Sequence, residues 1–110
     1  MSNLAAGLSA FEAKNYAEAF KLLMPIAEEG NAEAQCIIGS IYDLGLGAES
    51  NIIEAIRWYK KSSVQGYGVA SNNLGTIYYS GREGIVRNRI KANEWYQKAK
   101  EQGFMHSPNV

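Results

Sequence analysis

Among its 110 residues the chain has one cysteine, Cys36, and one histidine, His106. A lone cysteine excludes an intrachain disulfide and a cysteine-based metal site. A zinc site needs about three or four convergent ligands, and these residues do not supply them, so no metal and no cofactor is expected. There is no long apolar run and no basic segment at the start, which excludes a recognisable signal peptide or membrane span. The expected location is therefore cytoplasmic, or periplasmic or secreted if a leader has been removed. Net charge is zero, with 11 basic and 11 acidic residues, and the basic second half carries no known nucleic-acid motif and has its Trp and Tyr at structural positions, so no nucleic acid is expected. Catalysis needs a nucleophile, a base and an orienting group in one pocket. With no usable histidine, no acid pair in an apolar setting and no phosphate-binding glycine loop, no catalytic residue is assigned and the chain is not expected to be an enzyme.

What the chain does have is itself, written nearly twice. The run Ala34-Gln-Cys-Ile-Ile-Gly39-Ser-Ile-Tyr42-Asp-Leu-Gly45 returns as Ala70-Ser-Asn-Asn-Leu-Gly75-Thr-Ile-Tyr78-Tyr-Ser-Gly81, at an offset of 36 residues. Ala55-Ile-Arg-Trp58-Tyr59 returns as Ala92-Asn-Glu-Trp95-Tyr96 at an offset of 37, because one residue is inserted in the glycine loop. A period of this length is the signature of a solenoid, whose units bury their apolar faces by stacking on neighbours. Within it, Ala34, Ile38, Tyr42 and Gly45 fall on one helical face. Clusters of glycine, asparagine and serine divide the chain into six helices: about 3–13, 17–29, 32–44, 52–65, 69–80 and 89–102. Asn51 and Asn88 are placed to cap the fourth and sixth helices. Pro25 should bend or interrupt the second. Gly39 and Gly75 sit mid-helix, where glycine costs about 1 kcal/mol against alanine, a cost that close helix approach explains. The fold class is all-α, an α/α solenoid: one repeat domain over 1–110, with an opening helix pair (3–30), two full repeats (32–66 and 68–103) and a tail (104–110).

The pattern A-x-x-x-(Leu/Ile)-G-x-x-Y-x-x-G, then N, then A-x-x-W-Y-x-K-x-x-x-Q-G resembles the Sel-1-like repeat family, an α/α solenoid related to tetratricopeptide repeats. Ala34–Gly66 follows it throughout. Ala70–Gly103 follows it too, with Lys98 standing where the first full repeat has Lys61. The opening stretch Gly7 to Ala19 looks more like a tetratricopeptide-style pair with a shorter turn. The resemblance implies an adaptor rather than a catalyst. In one branch of the family, disulfide-linked repeats are associated with β-lactam binding; no cysteine pair is present here to carry that over. The sixth helix has Asn93, Lys100 and Glu101 where the fourth has Ile56, Ser63 and Val64. That reads as a polar cap, so the array is expected to end here and the chain to be a complete small protein. The tail from Phe104 either folds back over the last helices or is disordered.

In tetratricopeptide-like solenoids the first helix of each unit lines the concave surface. With the packing positions set aside, the residues left for a partner are Glu33, Cys36, Ser40 and Asp43 in the first full repeat and Val69, Asn72, Thr76 and Tyr79 in the second. Leu4, Leu8 and Phe11 form a stripe that is either core or an exposed patch. The expected partner is a protein or peptide, with no nucleic acid and no membrane. Three functions remain open: a binding adaptor, a dedicated inhibitor or immunity-type protein that masks one partner, and a self-associating module. Residues 1–50 carry seven acids and two bases, and 51–110 four acids and nine bases. The resulting −5 and +5 favour head-to-tail contact, but surface ion pairs are weak, so a monomer is expected.

Overall fold

The computed structural model describes residues 2–108. It contains six helices: α1 (Asn3–Glu12), α2 (Tyr16–Glu28), α3 (Ala32–Leu44), α4 (Ile52–Val64), α5 (Gly68–Ser80) and α6 (Arg89–Glu101). No strand occurs among the described residues; one isolated bridge joins Arg82 and Ile85. The chain divides into two compact units, Met1–Trp58 and Tyr59–Val110.

In the first unit α1 packs on α2, and α2 on α3. The core is Ala19, Leu23, Ala27, Ala34, Ile38, Ile41 and Trp58, flanked by Leu4, Phe11, Phe20 and Tyr42. Leu4 and Phe11 of the N-terminal stripe are thus partly buried and packed against the core, and Leu8 is half-buried. Small residues set the helix spacing. Gly7 is buried, and a β-carbon there would lie 2.4 Å from Leu23 Cδ2. Lys14 closes the short α1–α2 turn in the left-handed conformation (φ 63°), a position that elsewhere falls to glycine. Pro25 does not interrupt α2, which continues to Glu28. Its ring is exposed, and the one hydrogen bond it removes is that which a backbone N–H at 25 would donate to the Lys21 carbonyl.

The glycine turns that close α2, α4 and α6 repeat one another. Gly30, Gly66 and Gly103 are left-handed, with φ of 107°, 91° and 98°. Each donates its N–H back to a carbonyl in the preceding turn: to Ala27, Ser63 and Lys100 at 3.0, 2.9 and 3.0 Å. This is a standard way of satisfying the last carbonyls of a helix. Asn31, Asn51 and Asn88 then accept the N–H groups of Ala34, Glu54 and Lys91 at 2.9, 3.1 and 3.0 Å. Both caps read from the sequence are therefore present. The glycine loops are anchored alike: Asn51 N–H donates to the Tyr42 carbonyl at 2.9 Å, and Asn88 N–H to that of Tyr78 at 2.8 Å.

In the second unit α5 packs along α6. A β-carbon on Gly75 would meet Tyr96 Cδ1 and Cε1 at 2.5 Å, so this glycine permits close approach, as its mid-helix position implies. Tyr96 is 3% exposed, and its hydroxyl shares a 3.0 Å hydrogen bond with Thr76. A buried polar cluster ties the helix ends together. The Ser63 and Ser71 hydroxyls lie 2.6 Å apart, Ser71 donates to Gln102 Oε1 at 2.6 Å, and Gln102 Nε2 donates to the Ser63 carbonyl at 2.9 Å. In the first unit the matching carbonyl, that of Ala27, accepts from Gln35 Nε2 at 3.1 Å. Gln35 and Ser71 are equivalent positions in the repeat. Serine is too short for the task, and Gln102 reaches the carbonyl from the other side.

The polar-cap reading needs one correction. Val64 is 81% exposed, so replacing it with Glu101 exchanges one solvent-facing residue for another. Ile56 and Ser63 do lie inward, half-buried and buried, and Asn93 and Lys100 at their counterparts are half-buried.

Candidate functional site

Each unit presents its candidate residues on the first helix of a repeat. On α3, Glu33, Ser40 and Asp43 are half-buried. Cys36 is only 4% exposed, so the structure removes it from the accessible set. A small, weakly polar side chain in a helix interior is a common occupant of such a place.

On α5 the spacing of Val69, Asn72, Thr76 and Tyr79 keeps all four on one helical face. Val69 and Tyr79 are exposed, at 39% and 41%. Thr76 is exposed but engaged: its hydroxyl donates to the Asn72 carbonyl at 3.2 Å and meets the Tyr96 hydroxyl. Asn72 Oδ1 accepts a 2.7 Å hydrogen bond from Ser107 Oγ. The tail thus folds back onto α5, and Ser107 is buried. Phe104 lies directly against Gly68, where an added β-carbon would come within 2.9 Å of its own. Of the α5 set, the two ends of the stripe remain available and the middle is committed to internal bonds.

One cleft was not singled out from the sequence. A cleft of about 370 Å³ in the first unit is lined by Tyr16, Ala17, Phe20, Ile41, Tyr42, Leu46, Gly47 and Ala48. Phe20 and Tyr42 meet edge to face, with ring centroids 5.8 Å apart. The loop sits tightly on α2, because a β-carbon on Gly47 would fall 3.1 Å from that of Tyr16. Tyr16 and Phe20 are aromatic at positions where the later repeats carry Ile52 and Ile56 or Arg89 and Asn93; that contrast was the available signal.

Among the described residues no group of three or more His, Cys, Asp or Glu is placed to hold a metal ion. No helix among them is long and apolar enough to cross a membrane.

Paired helices that repeat on a period of 36 to 37 residues, with glycine at the crossing points and small residues between, define an α/α repeat protein. The Sel1 repeat model matches residues 3–31, 32–67 and 68–104, and the chain belongs to the Sel1 repeat family. The opening helix pair is thus itself a Sel1 repeat with a shortened turn. Among solved structures, a Sel1 repeat protein from Oxalobacter formigenes superposes with a TM-score of 0.82 at 41% identity, over 93% of this chain and 40% of that one. The protein c5321, a protective antigen present in uropathogenic Escherichia coli strains and displaying the same repeat fold, gives 0.76 at 38% identity, over 80% of this chain and 19% of its own. Chitin synthase regulatory factor 3 of Schizosaccharomyces pombe is 38% identical over 68 residues, which is 61% of this chain and 7% of that protein. The chain therefore spans less than half of each of these relatives. The fold class is the α/α solenoid of these neighbours. Sel1 repeat proteins generally mediate protein–protein interaction, and the family is typically non-catalytic.

Proposed function

We propose that this protein is a non-catalytic adaptor that binds a protein or peptide through the first helices of its repeats, with the α5 stripe carrying most of the contact. The observation behind this reading is Tyr79. It is 41% exposed, and it stands at a position that the equivalent helix fills with Asp43, so the repeat does not need an aromatic ring there. Tyrosine is over-represented among binding hot spots because it offers a large rigid surface at small entropic cost. Val69 supplies an apolar contact at the other end of the stripe. A regulatory factor with related repeats accords with a role in which binding, rather than chemistry, is the activity.

The test is affinity capture from the native host, with the parent chain and the Tyr79→Ala variant compared by mass spectrometry. Partners that are captured by the parent and lost from the variant support the reading. Partners retained equally by both would place the site elsewhere. Several substoichiometric partners indicate an adaptor. A single stoichiometric partner indicates a dedicated inhibitor of that protein.

A further inference from the structure

The stretch joining α5 to α6 departs from the charge pattern of the rest of the chain. Between residues 82 and 91 stand Arg82, Arg87, Arg89 and Lys91 against one acid, Glu83. The equivalent stretch of the preceding repeat, residues 46–54, holds Glu49 and Glu54 and no base. The repeat architecture therefore does not ask for these cations. Local energetics oppose them, because α6 has no acid in its first turn and carries Arg89 and Lys91 there, at the positive pole of the helix, where cations are disfavoured. The structure offers little compensation. Arg82 is held by hydrogen bonds to the Ser80 hydroxyl and the Gly81 carbonyl, but Arg87 and Arg89 are exposed, and among the described residues neither side chain makes a hydrogen bond or ion pair. Lys91 places its ammonium 5.0 Å from the centre of the Tyr78 ring. Two aliphatic side chains interrupt the cations, and both face solvent: Val86 is 85% exposed and Ile90 74%. Beside them is a shallow hollow of about 300 Å³, lined by Tyr78, Gly84, Ile85, Val86, Asn88 and Lys91. Backbone bonds of 3.1 and 2.9 Å between Arg82 and Ile85 brace the loop. A local rule broken without internal compensation marks a place where something outside the chain supplies it.

We propose that residues 82–91 form a docking surface for an anionic lipid membrane, which the protein meets peripherally. The exposed Arg87 and Arg89 are drawn to the negative surface potential, and the protruding aliphatics enter the boundary between headgroups and acyl chains. The charge is concentrated where it is needed: the second unit carries eight basic and three acidic residues. A lipid surface suits the shape better than an acidic protein segment does. Val86 and Ile90 project into solvent from a loop and a helix start, and a bilayer yields to such side chains without a matching pocket. The expectation of no membrane partner rested on the lack of a long apolar run and of a basic segment at the start. Neither reveals which aliphatics face outward. This surface is separate from the α5 stripe and does not depend on it.

The experiment is co-sedimentation of the full chain with phosphatidylcholine vesicles, with and without phosphatidylserine, across a salt series. Binding is expected only to the anionic vesicles and should fall as salt rises. Each cation contributes about fivefold, so Arg87→Gln with Arg89→Gln should weaken binding about 25-fold. Val86→Ser with Ile90→Ser should weaken it too, but leave the salt dependence unchanged. All four side chains are exposed, and circular dichroism confirms that the variants keep their helices. Equal binding to neutral and anionic vesicles, or unchanged binding by the arginine variant, would overturn the proposal. So would binding to a polyglutamate peptide without binding to anionic vesicles, which would assign the surface to an acidic protein.

Discussion

Replacing Gly75 with alanine tests the packing more sharply than any larger substitution, because its first added atom is already in conflict. That carbon would lie 2.5 Å from Tyr96 Cδ1 and Cε1 and 3.0 Å from Cγ. Carbon atoms pack best at about 3.5–4.0 Å, so ring and helix would have to part by about 1 Å. The ring has nowhere convenient to go, since it is 3% exposed and its hydroxyl is bonded to Thr76. Overpacking of this kind costs about 1–3 kcal/mol. Alanine returns up to about 1 kcal/mol through its better helix propensity. Taking the overpacking near the top of its range, Gly75→Ala should destabilise by about 1–2 kcal/mol net, which a urea-denaturation midpoint resolves. In a Tyr96→Ala background the ring is gone and only the propensity term survives, so the same substitution should be neutral or stabilising by up to about 1 kcal/mol. A Gly75→Ala protein at least as stable as the parent would refute the reasoning, as would an equal penalty in both backgrounds.

Other substitutions probe other parts of the account. Lys14→Gly should stabilise by about 0.5–1 kcal/mol, because Lys14 holds a left-handed conformation that glycine adopts without strain; a lower melting temperature would contradict this. Gln102→Ala removes the amide that serves the Ser63 carbonyl and the acceptor for Ser71, and should cost about 1–3 kcal/mol. Adding Ser71→Gln, which copies the Gln35 arrangement, should recover part of that loss in the same melts. Light scattering should show a monomer at moderate salt; a dimer that persists in high salt would mean that the attraction is apolar.

Much of the fold was legible because its geometric demands fall on few residue types. Gly75 had to be small to admit Tyr96, and Asn51 and Asn88 had to offer side-chain oxygens at helix starts. Such positions cannot drift, so the 36/37-residue echo survived in the sequence. The opening repeat was harder to see. Gly7 meets Leu23 as Gly75 meets Tyr96, but the four-residue-shorter register placed it off the period and Leu23 hid the aromatic. Pro25 was expected to bend or interrupt α2, and the helix runs on uninterrupted to Glu28. Val64 and Cys36 misled in opposite senses: an apolar residue faces solvent and a candidate surface residue is buried, since helical spacing alone does not fix where a face begins. The bond from Ser107 to Asn72 was beyond reach, because it joins residues 35 apart through a tail that follows no repeat. The exposure of Val86 and Ile90 depends in the same way on how a loop is folded.

The central claim is that the α5 stripe is where a protein partner binds. The most direct measurement is site-specific photo-crosslinking in the native host, with a photoreactive phenylalanine analogue at position 79 and, as a control, at exposed position 94 on α6. The account predicts a discrete crosslinked protein at position 79 that is absent at position 94. A crosslink confined to position 94, or the same products from both positions, would contradict it.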